Sequence, residues 1–196
     1  LCEMSKFRQN SLIIDYTNGF LPNHLEKIAN EVLSPKQHVV RQEPLPINPF
    51  LPQESDNGGI VIKENSNAIA KRIAGLFDSV YNIGDQQYSV LHRAIMDSVE
   101  TMKSGMNLDH MLEIIESMTG EKQYKASAQS LYNKLRPFVL EQPFSSGEIG
   151  FDWDHLFLDQ DPLCNIFQLA GMDMYSGRLI TEFILWDLFY VFGGCI

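Results

Sequence analysis

The chain has 196 residues, 44% of them hydrophobic, and a formal net charge of −10 at pH 7. Its length allows one domain with a sizeable core, and its acidic balance excludes a general electrostatic attraction to the phosphate backbone of nucleic acids. If DNA is a partner, another part of the protein or of its assembly must supply the positive surface. The first ten residues contain no apolar segment typical of a secretory signal and no initiating Met, so we expect the chain to begin inside a longer protein.

The three cysteines, Cys2, Cys164 and Cys195, are widely spaced and form no CxxC motif. An odd, scattered set is typical of reduced thiols in an intracellular protein rather than of disulfides or zinc ligands. We therefore expect a cytoplasmic location.

Residues 11–16 have the pattern of a buried strand that ends at a carboxylate, Asp15, and a turn-forming Thr-Asn-Gly follows. Open α/β sheets bind their ligands at this end of a strand. Pro22 is well placed as the first residue of a helix, whose apolar spacing continues to Val32. Residues 38–41 then predict a second strand, parallel to the first through a βαβ connection.

Four prolines lie within residues 44–52, which excludes a helix and predicts an ordered, extended loop. Proline-rich ligands of recognition domains have a similar composition, but here Ile47, Phe50 and Leu51 are expected to pack inward. Residues 60–62 are either a short strand or the lead into the next helix.

From Asn65 to Val139 the apolar spacing is helical only, and it predicts four helices with short connections. Ser66, Asp85 and Asn107 are the expected capping residues of the first three. Pro137 is expected to kink or end the fourth. These helices predict a helical subdomain between the early strands and a late one.

Residues 143–163 are rich in Gly, Ser and Asp. Asp152, Asp154 and Asp159 suggest a metal-dependent hydrolase, but the spacing of a calcium loop, with its central Gly and closing Glu, is lacking. The favoured interpretation is a solvated acidic connector with Trp153 packed inward.

The last quarter begins with an apolar run at residues 164–170, which is expected to lie buried in a sheet, and continues into a helix. Apolar side chains cover almost the whole circumference of this helix, which predicts that it is interior, between the sheet and another layer. A membrane span is the alternative, and the charged Arg178, Glu182 and Asp187 argue against it.

The common phosphate-binding and catalytic motifs GxxxxGK[ST], GxGxxG, GxSxG and HExxH are absent from the sequence. Residues 12–15 resemble a Walker B strand, but Tyr16 stands where a catalytic Glu is expected. The five histidines show no metal-ligand spacing and are interpreted as surface or hydrogen-bonded core residues. Arg178 and Glu182 form either an intrahelical ion pair or, in the alternative, part of an active-site edge.

Several blocks of the sequence occur in an order that is typical of one family. They are LIIDYTNGF (12–20), LPINPF (45–50), AKRIAGLFDSVYNIGDQQYSVLHRAI (70–95), NKLRPFV (133–139), and IFQLAGMD with GRLITEFILWDL (166–188). With these blocks the chain resembles the ATPase domain of DNA phosphorothioation-dependent restriction proteins, the DptH family, which are HerA/FtsK-like P-loop NTPases.

The resemblance implies that the phosphate loop precedes the strand ending in DYTNGF and that the Walker B strand follows the ILWDLF helix. The chain is then the middle of a motor domain, without stand-alone activity. For the parent protein it implies hydrolysis of ATP with Mg²⁺, coupled to movement on or remodelling of DNA, in a bacterial antiviral defence system that restricts DNA lacking the phosphorothioate mark. The implied partners are DNA, contacted through other parts of the protein, other restriction subunits and a ring of its own copies, with no membrane.

The candidate site residues are hypotheses from position. Asp15 lies at the strand end from which such folds approach nucleotide or magnesium, and Gln168 and Arg178 flank the exit of the late strand. A non-catalytic interaction module that binds no nucleotide is the alternative function.

The sequence predicts an α/β fold with a partial, mainly parallel P-loop-type sheet and a large all-helical insertion. The predicted parts are a first α/β part of the ATPase core (1–63), a helical insertion (64–142), and a connector, core strand and buried core helix (143–196).

Overall fold

The computed structural model describes residues 2, 10–56, 58–145, 153 and 164–193. It has the predicted α/β fold, with a small parallel sheet and a large helical insertion. The elements are β1 (Ser11–Asp15), α1 (Lys27–Leu33), β2 (Lys36–Val39), β3 (Glu54–Asp56), β4 (Val61–Lys63), α2 (Ser66–Tyr81), α3 (Asp85–Met102), α4 (Leu108–Met118), α5 (Lys125–Leu140), β5 (Cys164–Gln168) and α6 (Met174–Gly193).

The chain forms two compact units, one made of residues 1–45 and 151–177, the other of residues 46–150 and 178–196. The proline-rich segment and the β3–β4 hairpin belong to the unit of the helices, whereas the prediction grouped residues 46–63 with the first α/β part. Most of α6 belongs to that unit too, because its buried face packs on aromatic side chains there.

The first unit contains a three-stranded parallel sheet in the order β1, β5, β2. All five residues of β5 are buried, as predicted for its apolar run, because β5 is the central strand. The predicted parallel relation of β1 and β2 is correct, although β5 lies between them. Leu33, Cys164 and Ile166 form a buried hydrophobic cluster in this unit.

The prediction that Pro22 begins a helix is wrong, since α1 begins at Lys27. Residues 18–25 form turns instead, in which His24 N donates to Leu21 O at 2.8 Å. The predicted apolar stripe is also only partly buried, because Ile28 is 71% exposed and Leu33 is the buried residue of α1.

The second unit contains the four predicted helices, α2 to α5, with one predicted cap confirmed. Asn107 caps α4 by accepting from His110 N at 3.0 Å. Asn65, not Ser66, caps α2, because Ser66 is already helical, and Asp85 likewise lies inside α3. Pro137 does not end α5, which continues to Leu140.

Aromatic side chains hold this second core together. Phe77 of α2 makes edge contacts with Phe138 of α5 and Phe183 of α6, with ring centroids 5.8 and 6.0 Å apart. Phe144 packs against Phe183 at 5.2 Å. These rings bury large apolar areas, so they anchor α6 on the other helices.

The prediction that α6 is apolar and interior almost all round is corrected. Leu179, Ile180, Phe183 and Ile184 are buried, but Leu185 is 51% and Phe189 63% exposed. One side of the helix therefore faces solvent. None of the helices that the structure describes has an apolar stretch sufficient to cross a membrane.

The proline-rich segment is ordered and packs inward, as predicted, with Ile47 and Phe50 each 2% exposed. Residues 61–63 pair antiparallel with β3, which confirms a short strand there. Trp153 is buried, as predicted, and lies 6.2 Å from the ring of Phe167. Asp152, Asp154 and Asp159 lie outside the described residues.

Candidate functional site

The candidate site is the carboxyl end of the parallel sheet in the first unit. Asp15 ends β1 and Gln168 ends β5, and the two are direct partners in the parallel register. Val39, at the end of β2, is paired with Gln168 on its other side. Two of the three predicted site residues are therefore neighbours, at the sheet edge where open α/β folds bind ligands.

Asp15 organises the loop that follows its own strand. Its Oδ1 accepts from Thr17 N at 2.9 Å and from the Thr17 hydroxyl at 3.1 Å, and its Oδ2 accepts from Phe20 N at 2.9 Å. The side chain is 4% exposed. A short carboxylate that binds the backbone a few residues ahead stabilises a turn, and here it holds residues 16–20 above the strand end.

The charge of Asp15 is stabilised where it lies. Burial by itself would raise the pKa of Asp15, but the hydrogen bonds from Phe20, from Thr17 and from Gln168 outweigh it, so the pKa lies below its usual value. Asp15 is therefore ionised at neutral pH, with its oxygens already engaged as acceptors.

Gln168 links β5 to β2 and, through Gln37, to the loop after β1. Its Nε2 donates to Gln37 Oε1 at 2.9 Å, and Gln37 Nε2 donates to Phe20 O at 2.8 Å. Gln168 is 3% exposed, and its Oε1 is buried without a hydrogen-bond partner among the described residues. An unsatisfied buried acceptor is costly and rare, so this oxygen is an open acceptor position at the sheet edge.

The loop after β5 is fixed from two sides. Gly171 has φ +83°, a conformation that favours glycine, and its carbonyl accepts from Arg41 Nη1 at 2.9 Å. Asp173 then caps the start of α6 by accepting from the backbone N–H groups of Tyr175 and Ser176 and from the Ser176 hydroxyl. Burial would raise the pKa of Asp173, but these hydrogen bonds lower it.

Tyr16 packs against the start of α6. Its hydroxyl donates to Gly177 O at 3.2 Å, and a Cβ at position 177 would lie 3.0 Å from the tyrosine ring. A side chain at position 177 would therefore require the Tyr16 ring to move by a few tenths of an ångström.

Arg178 belongs to the second unit, where it lies at an exposed position of α6. Its catalytic role stays a prediction.

Sequence reasoning missed a polar pair inside the sheet. His38 Nε2 lies 3.1 Å from Asn165 Oδ1, and the His38 ring makes an edge contact with Phe167. Burial lowers the pKa of His38, and this outweighs the hydrogen bond to Asn165, which raises it. His38 was predicted to be a surface or hydrogen-bonded core residue, and it is half-buried and hydrogen-bonded. No sequence signal distinguishes a histidine on an edge strand from one in a loop.

The residues of this edge do not fit a complete magnesium–nucleotide site. Asp15 is the carboxylate at the end of β1, and its oxygens are already occupied by protein donors. Among the described residues, no three His, Cys, Asp or Glu side chains lie close enough together to hold a metal ion. What the edge offers is a rigid loop, an open amide acceptor and a guanidinium, Arg41, at its rim.

Comparison with known proteins does not identify a family. No protein-family model matches the chain, and no curated protein matches its sequence.

Proposed function

We propose that the chain is the middle part of an ATP-hydrolysing, DNA-directed motor of a cytoplasmic, phosphorothioation-dependent restriction system. The observation that carries the proposal is the position of Asp15 beside Gln168 at the carboxyl ends of neighbouring parallel strands. P-loop ATPases place their nucleotide at this edge of a parallel sheet.

The open edges of the sheet support the proposal. Among the described strands, β1 and β2 each pair on one side only, with β5. Parallel sheets in α/β proteins are usually larger and covered on both faces. We propose that further strands, which carry a phosphate loop and a metal-binding carboxylate, pair with these edges.

Different roles follow for the three candidate residues. The oxygens of Asp15 are used by Thr17 and Phe20, so Asp15 is a positioning residue that shapes the loop. Gln168 supplies a free acceptor for a water or ligand donor. Arg178, exposed on α6, supplies positive charge for phosphate oxygens.

The test uses the complete protein that contains this chain, with ATP and Mg²⁺, with and without DNA. We expect DNA-stimulated hydrolysis, and Arg178→Ala should lower kcat by at least about tenfold without changing the thermal unfolding midpoint. Arg136→Ala, at an exposed position of α5, is the matched control. Absence of hydrolysis would overturn the proposal, and unchanged turnover in Arg178→Ala would remove that residue from the site.

The alternative, a non-catalytic interaction module, is favoured by one observation. Leu185, Trp186 and Phe189 line an open groove of about 310 Å³ on the solvent side of α6. Exposed apolar patches of this kind mark interaction surfaces. If Leu185→Lys abolishes assembly with other subunits and the complete protein hydrolyses no ATP, the module is the correct function.

A further inference from the structure

A second cavity, within the helical unit, has the composition of a small-molecule site. Its volume is about 490 Å³, within the usual range for ligand pockets. It is an open cavity, lined by the proline-rich segment, the end of the β3–β4 hairpin, the start of α2 and the end of α3. The lining residues are Phe50, Leu51, Pro52, Lys63, Glu64, Asn65, Ser66, Ile69, Val99 and Lys103.

The floor of this cavity is apolar and fixed. Phe50 and Ile69 are each 2% exposed. Beside them, Arg72 donates to Pro49 O and to Leu51 O, each at 3.0 Å, and so ties the proline-rich wall to α2. A preformed floor lowers the ordering cost of binding a ligand.

The charges around the cavity favour an anion. The carboxylate of Glu64 is neutralised by Arg72 at 2.8 Å, and Lys63 is paired with Glu54 at 2.7 Å. The ammonium of Lys103 has no ion-pair partner within the part of the chain that the structure describes, so one net positive charge remains. The first turn of α2, which starts at the cavity, carries no acidic residue, and the positive end of its dipole adds to this field.

We propose that this cavity binds a small organic anion: a phosphate or carboxylate group held at Lys103, attached to an apolar body that packs on Phe50 and Ile69. This local positive site stands out on a chain whose net charge is −10. The proposal is independent of the ATPase function, because every lining residue belongs to the helical unit.

The test measures binding of phenyl phosphate and of benzoate to the full 196-residue chain by calorimetry, with inorganic phosphate and benzyl alcohol as comparison probes. We expect at least one aromatic anion to bind, and both comparison probes to bind at least about tenfold more weakly, since each lacks one half of the recognised chemistry. The stronger of the two anions identifies phosphate or carboxylate as the preferred group.

Two variants test whether the anion binds in this cavity. Lys103→Gln should weaken binding of the preferred anion by roughly tenfold. Ser66→Asp should weaken it at least as much without lowering the unfolding temperature, because a carboxylate in the first turn of a helix is itself stabilising. Lys122→Gln, at an exposed position outside the cavity, is the control and should leave binding unchanged.

Three results would overturn the proposal. One is no binding of either aromatic anion at millimolar concentration. Another is equal binding of benzyl alcohol, which would make the cavity merely apolar. The third is an equal loss of affinity in Lys122→Gln and Lys103→Gln, which would make the attraction non-specific.

Discussion

Arg72 and Glu64 form a buried ion pair, 2.8 Å apart, whose side chains are 5% and 12% exposed. Arg72 Nε also donates to both oxygens of Glu64, and the remaining guanidinium donors reach backbone carbonyls of the proline-rich segment. The Glu64 carboxylate in turn accepts from Gln53 N at 3.1 Å. One guanidinium thus fixes a segment that has few hydrogen bonds of its own.

Removing one partner of this pair should destabilise the protein strongly. Arg72→Met leaves the Glu64 charge buried and two carbonyls without donors, so we expect a loss of roughly 3–5 kcal/mol in the free energy of unfolding. Urea denaturation at neutral pH measures this. Glu54→Gln breaks the exposed pair with Lys63 and should cost less than about 1 kcal/mol. Equal losses in the two variants would contradict the structural role of Arg72.

Asp15→Asn should destabilise the loop at the sheet edge. In the variant, the introduced amide nitrogen faces a backbone N–H from which the carboxylate of Asp15 accepted. We therefore expect the free energy of unfolding to fall by about 1.5–3 kcal/mol. The control is Glu113→Gln, at an exposed position of α4. Its free energy of unfolding should stay within about 0.5 kcal/mol of that of the unsubstituted chain.

The pH dependence gives a second measure of the same group. The folded state lowers the pKa of Asp15. The contribution of Asp15 to folding stability is therefore complete above the unfolded pKa of about 3.9, and it is lost as the pH falls through the folded pKa. Denaturation at pH values from neutral to acid should show a smaller acid-induced loss in Asp15→Asn. An unchanged acid dependence would mean that Asp15 is not the stabilised carboxylate.

Gly177→Ala tests the contact with Tyr16. Alanine favours a helix over glycine by about 1 kcal/mol, but here its Cβ would lie 3.0 Å from the Tyr16 ring. We expect Gly177→Ala to bring no gain in stability, or a loss, when Tyr16 is present. In the background of Tyr16→Ala, the same substitution should stabilise the protein. Gly75→Ala, inside α2, is the control, since nothing lies within 4 Å of its added Cβ, and it should stabilise in both backgrounds. Additive effects at positions 16 and 177 would refute the packing contact.

His38 should make folding sensitive to mildly acidic pH. Burial lowers the pKa of His38, and the nearby Lys36 lowers it further, while Asn165 and Glu43 act in the opposite direction. The stability that depends on the neutral imidazole is therefore complete above the unfolded pKa of about 6.5 and is lost as the pH falls through the folded value. Stability measured between neutral pH and pH 5 should fall less in His38→Gln than in the unsubstituted chain. An equal fall in His38→Gln and in the unsubstituted chain would contradict the role of His38.

Much of the fold follows from local patterns. The apolar run ending at Asp15, the run from Cys164 and the helical spacing between Asn65 and Val139 each predict elements that are present. Such periodicity reports which side chains must leave water, and this fixes the type of an element before its neighbours are known.

Other features could not be predicted, because they depend on distant partners. Pro22 has a favourable position for starting a helix, yet Asp15 binds Phe20 N and the following residues form turns. Arg72 has no sequence mark that separates it from the exposed Lys71 beside it. The guanidinium of Arg72 can be buried only because Pro49, Leu51 and Glu64, which precede α2 in the sequence, supply its acceptors.

The sequence by itself determined the α/β class, the carboxylate at the end of the first strand and the helical middle of the chain, because these depend on neighbours a few residues apart. Tertiary structure alone decided that β5 lies between β1 and β2, that Asp15 and Gln168 are partners, and that one side of α6 is exposed. The physical reason is that hydrogen-bond partners and burial on each face are set by segments far apart in sequence.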